Sequence, residues 1–246
     1  MKGVILAGGK ATRLRPLTWV TNKHLLPVYD KPMIFYGLES MKKAGITEVL
    51  ITSSDSHLAQ FINLLKSGHD FGLKLSYAIQ DDAGGGIPQA IALAADFSAG
   101  QNILVLLGDN IFDHNLSTAV SKFEGKKGAM VFAKRMPTES KQYGVVELSK
   151  NGKVISIEEK PEHPKSDLAQ TGIYMYDRRV YDFIKKLRPS KRNELEVTDL
   201  NNMYLNEGTL VCEIMEGLWI DAGTSYDELL RANNLVAELT KGALNK

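Results

Sequence analysis

The sequence predicts an α/β protein, a mostly parallel mixed sheet flanked by helices. Three observations carry this. Short apolar runs alternate with amphipathic helical stretches along the chain, the pattern of β-α units whose crossovers make neighbouring strands parallel. Ile103 to Leu107 is the most continuously apolar run, as befits a central strand covered on both faces. Gly3-Val4-Ile5-Leu6-Ala7 is a second buried-strand run, and it stops at once in a glycine pair followed by cations. The 246 residues can bury a sizeable core. With no repeat, low-complexity tract or linker, a single domain over 1–246 with two lobes is expected.

The elements follow in order. After the first strand and its loop, residues 21–28 read as extended. Asp30-Lys31-Pro32 opens a helix through Met33, Phe35, Leu38 and Met41, ended by Gly45 at the position after the cap that favours glycine. A strand runs from Glu48 to Thr52. Ser56 is placed as the cap of a helix carrying Leu58, Phe61, Ile62 and Leu65 on one face and closed by Gly68. Leu73 to Ala78 is a strand, Gly84-Gly85-Gly86 a flexible loop, and Gln89 to Ala95 a helix. Leu116 to Phe123 is helical and Ala129 to Ala133 a strand. Gly144 to Leu148 and Val154 to Glu158 form a hairpin across Asn151-Gly152, a strong turn signal. A strand at Ile173 to Tyr176, helices at Arg178 to Leu187 and Thr198 to Asn206, a strand at Leu210 to Ile214 and a helix at Tyr226 to Leu239 complete the chain.

Composition narrows the function. There are 30 Lys+Arg against 29 Asp+Glu, so net charge offers nothing for nucleic acid or a membrane surface. The lone Cys212 excludes an internal disulfide framework and a cysteine-rich metal site. Met1-Lys2 leads directly into a strand rather than a signal peptide, and no apolar run approaches bilayer length, so a cytoplasmic protein is expected.

The first loop reads Gly8-Gly9-Lys10-Ala11-Thr12-Arg13-Leu14-Arg15-Pro16-Leu17-Thr18. Adjacent glycines let backbone N–H groups approach an anion, and Lys10, Arg13 and Arg15 suit phosphate oxygens. A glycine pair by itself is also a common surface turn. The P-loop is excluded because Ala11, not Ser or Thr, follows Lys10. The dinucleotide fingerprint is excluded because the loop has two glycines and runs into Pro16. Ligands of such sheets sit beyond the carboxyl ends of the strands, where Asp109 in Gly108-Asp109-Asn110 emerges. An aspartate there either caps the next turn or holds Mg²⁺, which one or two carboxylates bind together with substrate phosphates.

These residues carry a resemblance. The first loop is similar to the signature L-A-G-G-x-G-T-R-L-x-P-L-T of the sugar nucleotidyltransferases, with Ala11 in place of the third glycine. That departure requires either a negative φ at Ala11 or a displaced loop. The resemblance implies a Rossmann-like nucleotidyltransferase fold with a sugar-binding lobe, Mg²⁺ as cofactor, dTTP and glucose 1-phosphate as substrates, and dTDP-glucose as product. It implies a place in dTDP-rhamnose and polysaccharide synthesis, and a homo-oligomer. Leu-Gly-Asp-Asn and Trp219-Ile220-Asp221-Ala222-Gly223-Thr224 match family motifs in which the two aspartates, here Asp109 and Asp221, hold the metal. Arg13, Lys160, Asp109 and Asp221 are the implied catalytic set. Leu6, Gly8, Gly9, Thr12, Arg13, Lys23, Gln80 and Gly86 are the implied nucleotide contacts, with Gln80 and Gly86 on the thymine. Lys23 belongs to a stretch similar to K-x-L-L-P-V-Y-D-K-P-M-I, in which His24 replaces the usual glutamine. The segment between Gln80 and Gly86 is one residue longer than in the comparable motif, which loosens the choice of dTTP over UTP.

Glu158-Glu159-Lys160-Pro161, Tyr143-Gly144-Val145-Val146, Thr171-Gly172-Ile173-Tyr174 and Arg192-Asn193-Glu194-Leu195-Glu196 match further family motifs. They imply Gly144, Glu159, Lys160, Thr171 and Arg192 as sugar-phosphate contacts. As a bare charge cluster, the Glu158–Lys160 stretch is more often a solvated strand end than a site. For Tyr174 and Tyr176 strand packing is the competing role, expected for one of them. Asn193 stands for a glycine, which its tolerance of left-handed backbone permits. Longer family members carry further C-terminal helices with subunit contacts and an allosteric nucleotide site, and that regulation is not expected here. Two other readings stay open: a UTP-using hexose-1-phosphate nucleotidyltransferase, and a non-catalytic sugar-nucleotide sensor on the same fold. A metal-dependent glycosyltransferase would want an Asp-x-Asp cluster, which the sequence lacks.

Overall fold

The computed structural model describes residues 1–80, 85–137 and 140–244. Four parallel strands form its centre: β1 (Lys2–Leu6), β4 (Glu48–Ser54), β5 (Lys74–Gln80) and β6 (Ile103–Leu107), in the order β5-β4-β1-β6. Their register aligns Leu6 with both Thr52 and Leu107, and Ser54 with Gln80. The loops after all four therefore leave from one end of the sheet. The short strands β2 (Pro27–Val28) and β3 (Lys31–Pro32) make a small ribbon before the first helix.

The sheet continues on the far side of β6 in antiparallel fashion. β11 (Leu168–Tyr176) pairs with β6, and β8 (Ala129–Arg135) pairs with β11. β12 (Leu210–Ile214) adds a parallel edge to β8, and the hairpin of β9 (Gly144–Leu148) and β10 (Val154–Glu159) attaches to β11. These make a nine-stranded sheet among the described residues. The expected hairpin forms, with Gly152 at φ 79 in its turn.

Helices cover both faces. α1 (Met33–Lys43), α2 (Asp55–Leu65) and α5 (Ser117–Phe123) bury Leu38, Phe61 and Phe123 against Ile5, Ile51 and Leu106. On the other face α3 (Gly86–Ala92), α6 (Val180–Ile184) and α7 (Val197–Asn206) bury Ile91, Phe183 and Tyr204 against Val4 and Val105. A one-turn α4 (Ala95–Ser98) follows α3. A third cluster lies apart. There α8 (Tyr226–Leu244) packs Ala232 and Val236 on Ile111 and Ile220. Those two residues belong to a separate two-stranded ribbon, β7 (Asn110–Phe112) with β13 (Trp219–Asp221).

Several expectations need correction. The ribbon of β7 and β13 has no signal of its own, because three-residue strands show no periodicity. α2 is capped by Ser54, whose hydroxyl lies 2.9 Å from His57 Nδ1, and Ser56 sits inside the helix. Ile62 is 43% exposed rather than on the buried face. α2 ends at Leu65, with Lys66 at φ 49, before Gly68 is reached. α3 begins at Gly86, because Pro88 is tolerated in the first turn of a helix. The helix expected over 178–187 shrinks to α6. The Gly84 end of the expected glycine loop, and the lengthened segment from Asp81 onward, lie outside the described residues. Among the described residues no helix is long and apolar enough to cross a membrane.

Candidate active site

The loops at the carboxyl ends of the parallel strands enclose a two-part cleft. One cavity, of about 580 Å³, is lined by Leu6, Gly8, Gly9, Thr12, Lys23, Gln80, Gly86 and Asp109. The other, of about 480 Å³, is lined by Arg13, Gly144, Glu159, Lys160, Thr171 and Asp221. Ile87 and Leu107 border both. The cleft thus gathers all of the implied catalytic, nucleotide and sugar-phosphate residues except Arg192, and it leaves out Arg15 of the first loop. Arg13, grouped by sequence with the first set, faces the second.

The first loop keeps the left-handed turn that glycine would adopt. Ala11 has φ 45 and ψ 41, and its carbonyl accepts the Thr18 hydroxyl at 2.9 Å. A negative φ does not accommodate the alanine; the backbone holds a strained left-handed conformation, with this bond on its carbonyl. Gly8 has a packing reason. A Cβ there would lie 2.2 Å from Gln80 Oε1, so the Gln80 amide rests directly on the loop. Gly86 has φ 79, and a Cβ there would meet the Leu195 carbonyl at 2.2 Å, so this glycine lets the 192–196 segment close over α3. Asn193 occupies its left-handed position at φ 59.

Asp109 and Asp221 meet through the β7–β13 ribbon, whose register sets Asp221 opposite Asn110. The Ala222 N–H donates to the Asp109 carbonyl at 3.0 Å. Lys23 Nζ sits directly on Asp109 Oδ2. Burial works to raise the Asp109 pKa, but the Lys23 ammonium outweighs it and holds the carboxyl at about 2. Burial likewise works against the Lys23 charge, and the Asp109 carboxylate overcomes it, so the lysine is held above its ordinary value. For Asp221 the Lys23 charge and a backbone hydrogen bond at Gly223 also favour the ionised form, but they do not prevail. Burial, then the Asp109 charge, push its pKa to about 7, and its Oδ1 is buried with no hydrogen-bond partner. A Cβ on Gly223 would strike Asp109 Oδ2 at 2.3 Å and Lys23 Nζ at 2.8 Å, so only glycine fits beside this cluster.

The donor set suits a hard divalent cation. Two carboxylates converge, and one buried oxygen lacks a partner. Among the described residues no group of three His, Cys, Asp or Glu could enclose a metal. Such a pair leaves coordination positions for phosphate oxygens and water, as Mg²⁺ sites do.

Two residues that the sequence reading passed over organise this centre. Asn110 Oδ1 accepts the Gly172 N–H and the Trp219 indole N–H, each at 2.8 Å, and its Nδ2 donates to Asp109 Oδ1 at 3.3 Å. It ties Asp109 to the shift in strand register near Gly172 in β11 and to β13. Asn22 donates to the Ala7 carbonyl at 3.0 Å, which turns its Oδ1 toward the His24 N–H and ring Nδ1, at 2.9 and 2.6 Å. Burial, with Lys23 adjacent, lowers His24 to about 3, so the ring is neutral and packs on Gly108. Leu-Gly-Asp-Asn contained Asn110 in plain sight; the two donors its Oδ1 serves, Gly172 and Trp219, lie far away in the chain.

At the other cavity Glu159 Oε2 accepts the Thr198 hydroxyl at 2.6 Å, so a residue of α7 orients the carboxylate. Lys160 has φ 45, and its Nζ is 4.0 Å from Glu159 Oε1. Arg192 lies at the rim. Its Nη2 donates to Glu196 Oε2 at 2.7 Å and stands 3.8 Å from Glu159 Oε1. Tyr143 and Trp219 meet edge to face, with ring centres 5.3 Å apart.

Comparison with known proteins shows the family. Residues 2–238 match the family described as Nucleotidyl transferase. The chain is 46% identical over 240 residues to the glucose-1-phosphate thymidylyltransferase of Neisseria meningitidis serogroup A, covering 96% of this chain and 82% of that one. It is 43% identical to the enzyme of that name from Mycolicibacterium smegmatis, covering 98% and 85%. A Bacillus anthracis structure, assigned as a glucose-1-phosphate thymidylyltransferase and complexed with sucrose, superposes with a TM-score of 0.90. Its identity is 46%, with 96% of this chain and 94% of that chain covered. A UDP-glucose pyrophosphorylase complexed with UDP-glucose shares the fold alone, at 24% identity and a TM-score of 0.85.

Proposed function

The chain belongs to the nucleotidyl transferase family, and from that premise we propose that it forms dTDP-glucose and pyrophosphate from dTTP and glucose 1-phosphate. The observation that carries the reading is the convergence of Asp109 and Asp221 on one end of a cleft that Arg13 and Lys160 also line. The product would feed dTDP-rhamnose and surface-polysaccharide synthesis. The whole chain, 1–246, would act as one domain in the cytoplasm, as a homo-oligomer.

The sugar phosphate is already an anionic nucleophile, so no side-chain nucleophile is required. An oxygen of the 1-phosphate attacks the α-phosphorus in line, and the bond to the β-phosphate oxygen breaks to release pyrophosphate. The obstacle is the repulsion of two polyanions, which positioning and charge neutralisation overcome. Gln80 and Gly86 would hold the thymine. Gly8, Gly9, Thr12 and Lys23 would hold the triphosphate, and Arg13 the leaving pyrophosphate. Lys160 and Arg192 would bind the incoming phosphate, with Gly144, Glu159 and Thr171 around the sugar. Asp109 and Asp221 would hold Mg²⁺, which supplies charge neutralisation at the reacting phosphates when bound. The Asp221 oxygen without a partner supports that assignment.

Pyrophosphate release tests the proposal. Asp109→Asn and Lys160→Ala should each slow turnover by orders of magnitude while the folded far-UV spectrum persists. Wild-type rates in either variant would remove the assignment. Calorimetric titration with dTTP and UTP in parallel decides the base, since a single methyl group discriminates by only about 1–3 kcal/mol.

A further inference from the structure

The cavity that holds Gln80 and Gly86 has a polar wall residue with no part in the proposed mechanism. Ser54 ends β4 in register with Gln80 at the end of β5, so the two side chains leave the same face of the sheet. β4 lies between β5 and β1, and the Gln80 amide reaches across its end to Gly8, where an added Cβ would lie 2.2 Å from Gln80 Oε1. Ser54 therefore sits beside the amide assigned to the base, and it lines the same cavity. It is buried apart from that wall.

The Ser54 hydroxyl is not spent on the helix that follows it. Serine at a cap position ordinarily accepts a backbone N–H of the first helical turn. At the start of α2 the hydroxyl turns to the His57 ring instead, with Oγ 2.9 Å from Nδ1. The exposed Ser56 places its own Oγ 3.1 Å from that nitrogen and 3.1 Å from Ser54 Oγ. One ring nitrogen thus faces two hydroxyls and has one hydrogen bond to make. Ser56 can make it alone, so Ser54 can turn to a ligand in the cavity and leave the ring nitrogen served.

We propose that Ser54 is a specificity-determining residue that donates its hydroxyl proton to a carbonyl oxygen of the pyrimidine, with Ser56 and His57 as positioning residues. The inference rests on the proposed reading that this cavity takes a pyrimidine nucleotide with its base at Gln80 and Gly86. Thymine and uracil present two carbonyl oxygens with an N–H between them. The Gln80 amide can accept that N–H and donate to one carbonyl, and the Gly86 N–H can donate to the other. Each carbonyl oxygen has two lone pairs, so acceptor sites remain on the base edge for a further donor. Ser54, in register with Gln80 and free to leave His57, is placed to fill one.

Steady-state kinetics with dTTP and its 2-thio and 4-thio analogues test this, since sulfur accepts a hydrogen bond more weakly than oxygen. Ser54→Ala should raise KM for dTTP by about three- to tenfold, the range of one neutral hydrogen bond, with kcat and KM for glucose 1-phosphate within twofold. For one of the two thio analogues the wild-type penalty should vanish in Ser54→Ala. Ser56→Ala removes an exposed hydroxyl and leaves Ser54 to serve the His57 ring, so it should raise KM for dTTP in the same direction, and Ser56→Thr should restore it. Melting temperatures show that each variant is folded. An unchanged KM for dTTP in Ser54→Ala overturns the donor role. A wild-type KM in Ser56→Ala overturns the positioning role. Absence of turnover of any pyrimidine nucleotide by the wild type overturns the reading of the cavity and the Ser54 contact with it.

Discussion

Replacing Asn110 by alanine should destabilise the protein through groups that are never in contact with solvent. Asn110 is 2% exposed, and its Oδ1 serves two donors at once, the Gly172 N–H and the Trp219 indole N–H, each at 2.8 Å. Alanine leaves both donors buried without an acceptor, at about 1–3 kcal/mol each, so a total loss of roughly 2–6 kcal/mol is expected. The Nδ2 contact to Asp109, at 3.3 Å, is long and adds little. Urea unfolding reads the effect as a lower midpoint with an unchanged slope, because the surface exposed on unfolding stays the same. The variant should also lose transferase activity in conditions where it remains folded, since Asn110 links β13 to the end of β6. A stability loss under about 1 kcal/mol would show that the two donors are satisfied otherwise and would refute the reasoning.

Three further outcomes are expected. Lys23→Met should raise the affinity of the nucleotide-free protein for Mn²⁺ by at least about tenfold, because a cation seated on Asp109 repels an incoming one; equal affinities in an electron paramagnetic resonance titration would contradict this. Ala11→Gly should stabilise the protein by about 1 kcal/mol, by removing a side chain from a left-handed residue, and a lower melting temperature would show that the alanine is not strained. Asp221, held at about 7 against an unfolded carboxyl near 4, binds its proton more tightly in the folded state. Its contribution is therefore present in acid and lost as pH rises through about 7, so Asp221→Asn should gain stability over the metal-free wild type between pH 5 and pH 8. A difference in melting temperature independent of pH would exclude that origin.

Local chemistry made much of the fold legible. Ile103–Leu107 had to be a buried central strand because it has no polar face, and it is one. The hairpin at Asn151-Gly152 follows from a turn that two residues specify. Asn193 adopts left-handed backbone as its side chain permits. Ala11 shows the limit of the same reasoning. Its propensity argued against φ > 0, and the Thr18 hydroxyl on its carbonyl, together with the loop on either side, prevailed. Arg192 shows another limit: Glu196 stands in the same motif, yet the motif does not say that its carboxylate pairs with the arginine and holds it at the rim.

The sequence by itself determined the alternation of strands and helices, the basic glycine loop after the first strand, and the residue types of the cleft, because period, turn chemistry and charge are properties of neighbours in the chain. Only the tertiary structure decided that Asp221 is brought opposite Asn110, next in the chain to Asp109, that Lys23 lies on Asp109, and that Asn110 holds the ribbon between them. Asn110 and Trp219 are 109 positions apart. Their strands are three residues long, too short for a periodic pattern, and they pair because α8 and the end of β6 leave them one place to satisfy their backbone hydrogen bonds.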